Sequence, residues 1–457
     1  MAVLLDCEED AHRLGRRTEQ AAVLERLARY ASLAGAEDEL LFRRARYLES
    51  LGRWGEAQPL LEQVAEVGPE PVRHAALLRL AHNRGRAGHF DDAITLARRA
   101  YDEAAAAPLR LEACLCLADI GQASEDYALA TEWLNTAQPL ARAAPERQPR
   151  LWELIARNEL RRGGYERMLR YAERARAGYA ARGDLIGQAG SRMLEGIAHS
   201  RLLRFDAAIT AIAEAQATFR DAEDARGQAA TTLNLAIQRY RLGDMAAARV
   251  GFAEARVGFA AINDRQGENV AVINQAIVAI AEQDFDTAER CAHLALAQAE
   301  ALVQPLRQAM GWACLATTLL CRGDAAGAYA ARERSLSLRP PDNNDRASEL
   351  AHQALACLEL GRRDEADALS RAALAQLQTF PHCEHPQRIY AIRALVAYRS
   401  GDEAAAYDAL NIARRTLARV LSGLPSLADR RRFLDAIPAN RFIRAAARGD
   451  WLSERPI

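Results

Sequence analysis

Apolar side chains recur along this chain at three- and four-residue spacing, in long stretches that stop at short polar turns, which is the pattern of amphipathic helices. From Leu202 the pattern repeats: LLRFDAAITAI starts at Leu202, RLGDMAAARVGF at Arg241, EQDFDTAERCA at Glu282 and CRGDAAGAYAA at Cys321. Each is a polar turn running into an Ala-rich helix, and the turn residues Leu203, Gly243, Gln283 and Gly323 stand 40 apart. A fixed period of this size predicts a solenoid, because each unit is too small to bury its own apolar face and must stack on its neighbours. Extended both ways, the register aligns ten turns: Gly52, Gly88, Glu125, Gly163, Leu203, Gly243, Gln283, Gly323, Gly361 and Gly401. The fold class that follows is all-α, an α-solenoid of antiparallel helix pairs with almost no strand.

Two columns support the register. Seven residues before the turns stand Ala45, Ala81, Ala118, Ala156, Gly196, Ala236, Ala276, Ala316, Ala354 and Ala394. Five residues after them stand Ala57, Ala93, Ala130, Met168, Ala208, Ala248, Ala288, Ala328, Ala366 and Ala406. Small side chains at one level of both helices let a pair approach closely. A third column, two past the turn, carries Trp54, Phe90, Tyr127, Tyr165, Phe205, Met245 and Phe285, bulky enough to plug the space between successive pairs.

On these residues the chain resembles the tetratricopeptide repeat family over about residues 37–417, in the longer, 40-residue form of the repeat. The aromatic is missing in the last three units (Ala325, Arg363, Glu403), and Met168 stands where the family has a small residue. HEAT and armadillo repeats have similar length but lack the double Ala column and the Gly-Asp turns. The resemblance implies a right-handed superhelix whose concave face is lined by the first helix of each pair. Organisation follows as residues 1–35, helices about 6–14 and 17–33 capping the array; 36–420, the superhelix; and 421–457, a C-terminal tail of two short helices broken at Pro438. The tail, SLADRRRFLDAIPANRFIRAAARGDWL, resembles the ends of helical-repeat modules in bacterial signal-transduction ATPases and transcription regulators. Breaks between units are expected near Pro145, Pro340 and Pro381.

Composition narrows the chemistry. Formal net charge is -1, so whole-molecule attraction to nucleic acid or to an anionic membrane is not indicated and any basic site must be local. All 60 basic residues are Arg, which removes every mechanism that needs a lysine, including a Gly-Lys-Ser/Thr phosphate loop and a Schiff base. The eight Cys are scattered, without a C-x-x-C pair, as expected of small core residues in a reducing cytoplasm. The opening MAVLLDCEED does not read as a signal peptide, and no apolar run is long enough to span a bilayer. His382, Cys383, Glu384 and His385 form the one metal-capable cluster, at a spacing that fits no zinc pattern, so neither metal nor cofactor is expected. No nucleophile motif is present, and the chain reads as a non-enzyme.

The candidate binding positions lie on the first helix of each pair. Asn234 and Asn274 occupy equivalent points nine residues before their turns; in the family an Asn here holds an extended peptide backbone through its amide donor and acceptor together. Arg86, Arg161, Arg201 and Arg241 stand two before theirs, Arg157 shares a face with Arg161, and Arg43, Arg46, Arg79 and His82 extend that surface towards the N-terminus. A stripe of guanidinium groups suits carboxylates. The expected function is therefore a cytoplasmic scaffold or adaptor that binds a partner protein, as an extended acidic peptide, in the concave groove, with room for a homo-oligomer. The alternative is an effector- or peptide-sensing module of a bacterial signalling, transcriptional or defence system.

Overall fold

The computed structural model describes residues 2–13, 16–31, 35–51, 53–340, 345–380 and 385–457, and among them every regular element is helical. Two helices, α1 (Ala2–Arg13) and α2 (Arg17–Ala28), precede the first pair. The pairs then run as α3 (Glu37–Ser50) with α4 (Trp54–Val67), α5 (Glu70–Arg86) with α6 (Phe90–Glu103), and α7 (Ala107–Ala123) with α8 (Tyr127–Ala143). A short 3-10 turn at Pro145–Arg147 leads into α9 (Gln148–Arg162) with α10 (Tyr165–Ala180) and α11 (Leu185–Arg201) with α12 (Phe205–Asp221). Next come α13 (Ala225–Arg241) with α14 (Met245–Ala261), α15 (Arg265–Ala281) with α16 (Phe285–Ala301), and α17 (Pro305–Cys321) with α18 (Ala325–Ser337). The last pairs are α19 (Arg346–Glu359) with α20 (Arg363–Thr379) and α21 (Pro386–Arg399) with α22 (Glu403–Ser422). Two short helices, α23 (Leu427–Ala436) and α24 (Pro438–Ala446), follow, the second opened by the Pro that breaks them. Helices adjacent in sequence pack antiparallel in space, so the molecule is a tetratricopeptide-type α-solenoid.

The connections explain the period. From α11 to α17 seven consecutive helices of 17 residues are separated by three residues each, a step of 20 and a unit of 40. A reversal this short needs a left-handed residue at the helix end, so that the next N–H can reach back to the carbonyl five residues earlier, as Arg204 does to His199 at 2.9 Å. Nine of the ten aligned turn positions, Gly88 through Gly401, have φ between 62° and 89°, while Gly52 lies outside the described residues. The connections between units show the same device 40 apart, at Gly183, Glu223, Asn263 and Val303. The residue after each turn is commonly Asp, and its carboxylate starts the next helix: Asp184, Asp224, Asp244, Asp264, Asp284 and Asp324 each accept the N–H three residues on. Cap, left-handed turn and N-cap thus occupy three successive residues.

Packing follows the small-residue columns. Every member of both is at most 2 % exposed or, for Gly196, buried with no space for a Cβ, which would lie 2.5 Å from Ile212. Met168, the exception in size, is also wholly buried. In the third column Tyr165 and Phe205 are buried, and Phe90, Tyr127, Met245 and Phe285 are half-buried. A further motif escapes a reading based on turns alone. Tyr179, Phe219 and Phe259 each stand five residues before a capping Asp, and Gly187, Gly227 and Gly267 three residues after it. A Cβ on those glycines would sit 2.2–2.5 Å from the preceding ring, so the missing side chain is what admits the aromatic between units.

The superhelix winds until its turns touch. Gln266 Nε2 donates to Gly85 O at 3.4 Å, Gln304 Nε2 to Ala123 O at 3.0 Å, and Leu306 N to a Glu125 carboxylate oxygen at 2.6 Å, each contact spanning 181 residues, or about four and a half units. At Gly88 a Cβ would come within 3.2 Å of the Leu302 backbone, and at Gly243 within 2.9 Å of the backbone at Arg432. Arg432 also donates to Asp244 at 3.2 Å, so the C-terminal helices close a second stretch of the same seam. The tail is held by Trp451, stacked on Tyr398 with centroids 4.5 Å apart and edge-on to Tyr407 and Phe442. No described helix is long and apolar enough to cross a membrane.

Candidate functional site

A charged basin of about 320 Å³ is built from both superhelical turns. α5 contributes His82 and Arg86, α7 contributes Asp119 and Gln122, and α9 contributes Arg157 and Arg161; from the following turn come Arg226 of α13, Gln266 of α15 and Arg307 of α17. His82 and Asp119 also line a cavity of about 460 Å³ with Arg46, Arg79, Arg147 and Arg150. Tyr127 and Arg161 are shared with a third cavity, about 540 Å³, that reaches Pro305, Leu306 and Phe380. Each of the two outer cavities thus shares walls with the basin.

Asp119 is the hub of the basin. Its carboxylate lies 3.1 Å from Arg150, 3.4 Å from Arg157 and 3.7 Å from His82. Burial opposes its ionisation, but Arg150 and Arg157 outweigh that and hold its pKa down to about 2. Burial presses His82 down to about 4 in spite of Asp119, so this imidazole is neutral near pH 7. Arg226 is satisfied by Asp264 at 2.8 Å, and Arg157 also by Glu153 at 2.7 Å. Arg307 has Glu125 only at 3.9 Å. Five guanidinium groups (Arg86, Arg157, Arg161, Arg226, Arg307) thus line the basin with one carboxylate, Asp119, while Glu153, Asp264 and Glu125 stand behind as partners of Arg157, Arg226 and Arg307. Both Arg86 and Arg307 have pKa values below the ordinary Arg range, first through burial and then through a neighbouring cation, Arg226 for the one and Arg161 for the other.

Of the positions the sequence singles out, His82, Arg86, Arg157 and Arg161 meet in this basin, and Arg46 and Arg79 line the adjoining cavity. Arg161 additionally rides over the Tyr127 ring at 5.7 Å. Others are spent on the fold. Arg43 pairs with Glu8 and with Glu39 at 2.6 Å, and Arg46 with Glu9 at 2.7 Å, so α1 covers this end of the expected stripe with its own acids. Arg241 is 5 % exposed, donates to Ser200 Oγ at 2.5 Å and lies over the Phe205 ring, so it braces one unit against the next. Arg201 does not line the basin. Asn234 and Asn274 are equivalent, as the register requires, but each gives its amide N–H to the carbonyl four residues back in its own helix, Ala230 and Val270, at 2.8 Å. That bond takes one of the two amide N–H groups and leaves Oδ1, but neither Asn lines the basin.

Arg226, Gln266 and Arg307 are the residues sequence reasoning does not reach. They sit in the first turn of their helices, far from the positions that face a groove within one unit, and come to the basin only because the next superhelical turn lands on it. His382, Cys383 and Glu384 lie outside the described residues; His385 packs edge-on to Tyr240 at 6.3 Å, and the described residues hold no metal-capable cluster. Buried Cys114 and half-buried Cys116 have thiols that burial pushes up to about 12, so both are protonated core groups.

No family model matches the chain, and no curated protein is significantly similar to it. Among solved structures, a Rap protein complexed with competence and sporulation factor is 14 % identical, with a TM-score of 0.49 over 82 % of this chain and 99 % of that one. A signal-transduction ATPase with a tetratricopeptide repeat sensor from Pyrococcus horikoshii is 16 % identical (TM-score 0.42, 73 % and 52 % covered). The Cut9–Hcn1 hetero-tetramer of the APC/C is 14 % identical (TM-score 0.36, 95 % and 96 % covered). Likenesses of this size say nothing about what the present chain binds.

Proposed function

We propose that this chain is a non-enzymatic binding module that takes an acidic, extended peptide segment of a partner protein along its inner surface, with the Arg86–Arg161–Arg307 basin as the anchor. The observation that carries the reading is the lining itself: five guanidinium groups held near one another around a single carboxylate, Asp119, gain from an added carboxylate, which each can grip bidentately. The shape argues for a chain rather than a compact anion, since three cavities that share His82, Asp119, Tyr127 and Arg161 as walls extend further than any one small ion fills. In this reading residues 36–420 are the binding superhelix, and residues 1–35 and 421–457 close its ends.

A second reading, a peptide-sensing regulatory module, is favoured by one feature. The basin is assembled across the seam between two superhelical turns, so a ligand that bridges Arg161 and Arg307 also sets the spacing of those turns.

The test is fluorescence anisotropy with a labelled Glu/Asp-rich decapeptide and its Lys-rich counterpart at two salt concentrations. The acidic peptide should bind and weaken with salt, and Arg86→Gln, Arg161→Gln and Arg307→Gln should each cost about 1 kcal/mol or more while flattening the salt dependence. Equal binding of both peptides, or indifference to all three substitutions in folded protein, overturns the basin as the anchor.

A further inference from the structure

Beyond these three cavities lies a fourth of about 210 Å³, walled by α15, α17, α18, α19, α21 and the start of α24. Its two sides differ in kind. One is aliphatic, formed by half-buried Ile277, Ile280 and Met310 and by buried Ile437. The other carries three cations, Arg332, Arg339 and Arg388. Arg332, 3 % exposed, is committed to Glu349 at 2.5 Å and Thr317 at 2.8 Å. Arg339 shares the same Glu349 at 3.7 Å and reaches Asp345 at 3.3 Å. Arg388 faces the cavity with a buried Nε that has no hydrogen-bond acceptor, and among the described residues no carboxylate pairs with it. His352, between these groups, uses Nδ1–H on Ser348 O at 2.7 Å and adds no charge near neutral pH.

We propose that this cavity is a separate binding site for a small aliphatic monocarboxylate, whose head sits on Arg388 and whose chain lies against Ile277, Ile280, Met310 and Ile437. Glu349 and Asp345 already engage Arg332 and Arg339, so the position left for an added carboxylate is at Arg388. A guanidinium whose buried Nε has no acceptor fits a carboxylate along that edge, and the wall of Ile277, Ile280, Met310 and Ile437 rewards an aliphatic chain. Pockets for drug-sized ligands run to roughly 300–1,000 Å³, so this one limits the ligand to a short chain. The site shares no lining residue with the basin and stands whether or not a peptide binds there.

The experiment is isothermal titration of the full chain with hexanoate, hexanamide and hexylamine at millimolar concentration, on wild type, Arg388→Gln and Ile277→Trp. Hexanoate should bind, the amide and the amine at least tenfold more weakly. Arg388→Gln should lower hexanoate affinity tenfold or more. Ile277→Trp, which fills the cavity without touching the cations, should abolish binding while leaving acidic-peptide binding at the basin as it was. Absence of hexanoate binding, equal binding of the amine, or wild-type affinity in both variants overturns the proposal; folding of each variant is read from its helical circular dichroism, and either one alone suffices for the test.

Discussion

At the scale of single residues, the solenoid is specified by where side chains are missing as much as by where they are present. Gly227 is a direct case: a methyl group there would lie 2.2 Å from the Phe219 ring, whereas at Gly190, also mid-helix, a methyl group meets nothing within 4 Å. Gly227→Ala should therefore lower stability by roughly 1–3 kcal/mol through overpacking, and Gly190→Ala should be neutral or stabilising by up to about 1 kcal/mol, since Ala is the better helix former. Thermal melts of the two variants side by side check this, and equal melts would mean that the ring does not occupy that space. A second prediction concerns His352, 6 % exposed, whose pKa burial and the nearby Arg332 and Arg388 depress from the ordinary 6.5 to about 3. Between those values the unfolded chain takes up the proton and the folded one does not, so stability is complete above pH 6.5 and falls as the pH drops towards 3, by at most about 1.4 kcal/mol per pH unit from this group. His352→Asn, which can keep the bond to Ser348 O, should shallow the acid limb of a plot of stability against pH; an unchanged limb would show that the imidazole is not buried neutral.

At the scale of the helix and its turn, one position departs from the rule in an informative way. Glu125 has φ 66°, a conformation that strains any side chain, yet its carboxylate accepts the Leu306 N–H in the first turn of α17 and faces Arg307 across the seam. Relief of about 1 kcal/mol of strain in Glu125→Gly should nearly cancel the lost cap, whereas Glu125→Ala keeps the strain, loses the cap and should cost about 1–2 kcal/mol. Denaturant titration of both variants separates the terms; if Ala proves no worse than Gly, the carboxylate contributes nothing at the seam. This position also shows what a sequence can disclose. The columns, the turns and the helix pairing were legible because each is a local requirement repeated ten times. The turn at Glu125 was legible as a turn, but not as a cap, because the helix that it caps lies 181 residues away. The same limit governs the basin: His82, Arg86, Arg157 and Arg161 follow from within-unit spacing, while Arg226, Gln266 and Arg307 depend on superhelical pitch. Arg241 fails for the converse reason, since a position that points to the groove in one unit is turned onto Phe205 in another by the local packing.

At the scale of the whole molecule, the seam changes how the array holds together. A solenoid whose units touch only their neighbours unfolds piecemeal, from the ends or from its weakest unit. Here Gly85, Gly88, Ala123 and Glu125 are tied to Gln266, Leu302, Gln304 and Leu306, so the second and third pairs are coupled to the seventh and eighth directly. Combining Gln266→Ala, Gln304→Ala and Gly88→Val should broaden the denaturation transition and lower its slope, with amide exchange in α5–α8 accelerating ahead of α15–α18. A transition as sharp as that of the unmodified chain would mean that neighbour stacking alone sets its cooperativity. The seam also has a consequence for how the molecule is made. The chain leaves the ribosome from its N-terminus, and the partners of Gly85 and Glu125 emerge 181 residues later. At about 5–20 residues per second, the tips of α5 and α7 wait on the order of 10–40 s before anything covers them. During that interval the guanidinium group of Arg86 is bathed in solvent, and the nascent protein presents to its surroundings a basic surface that the finished one partly covers.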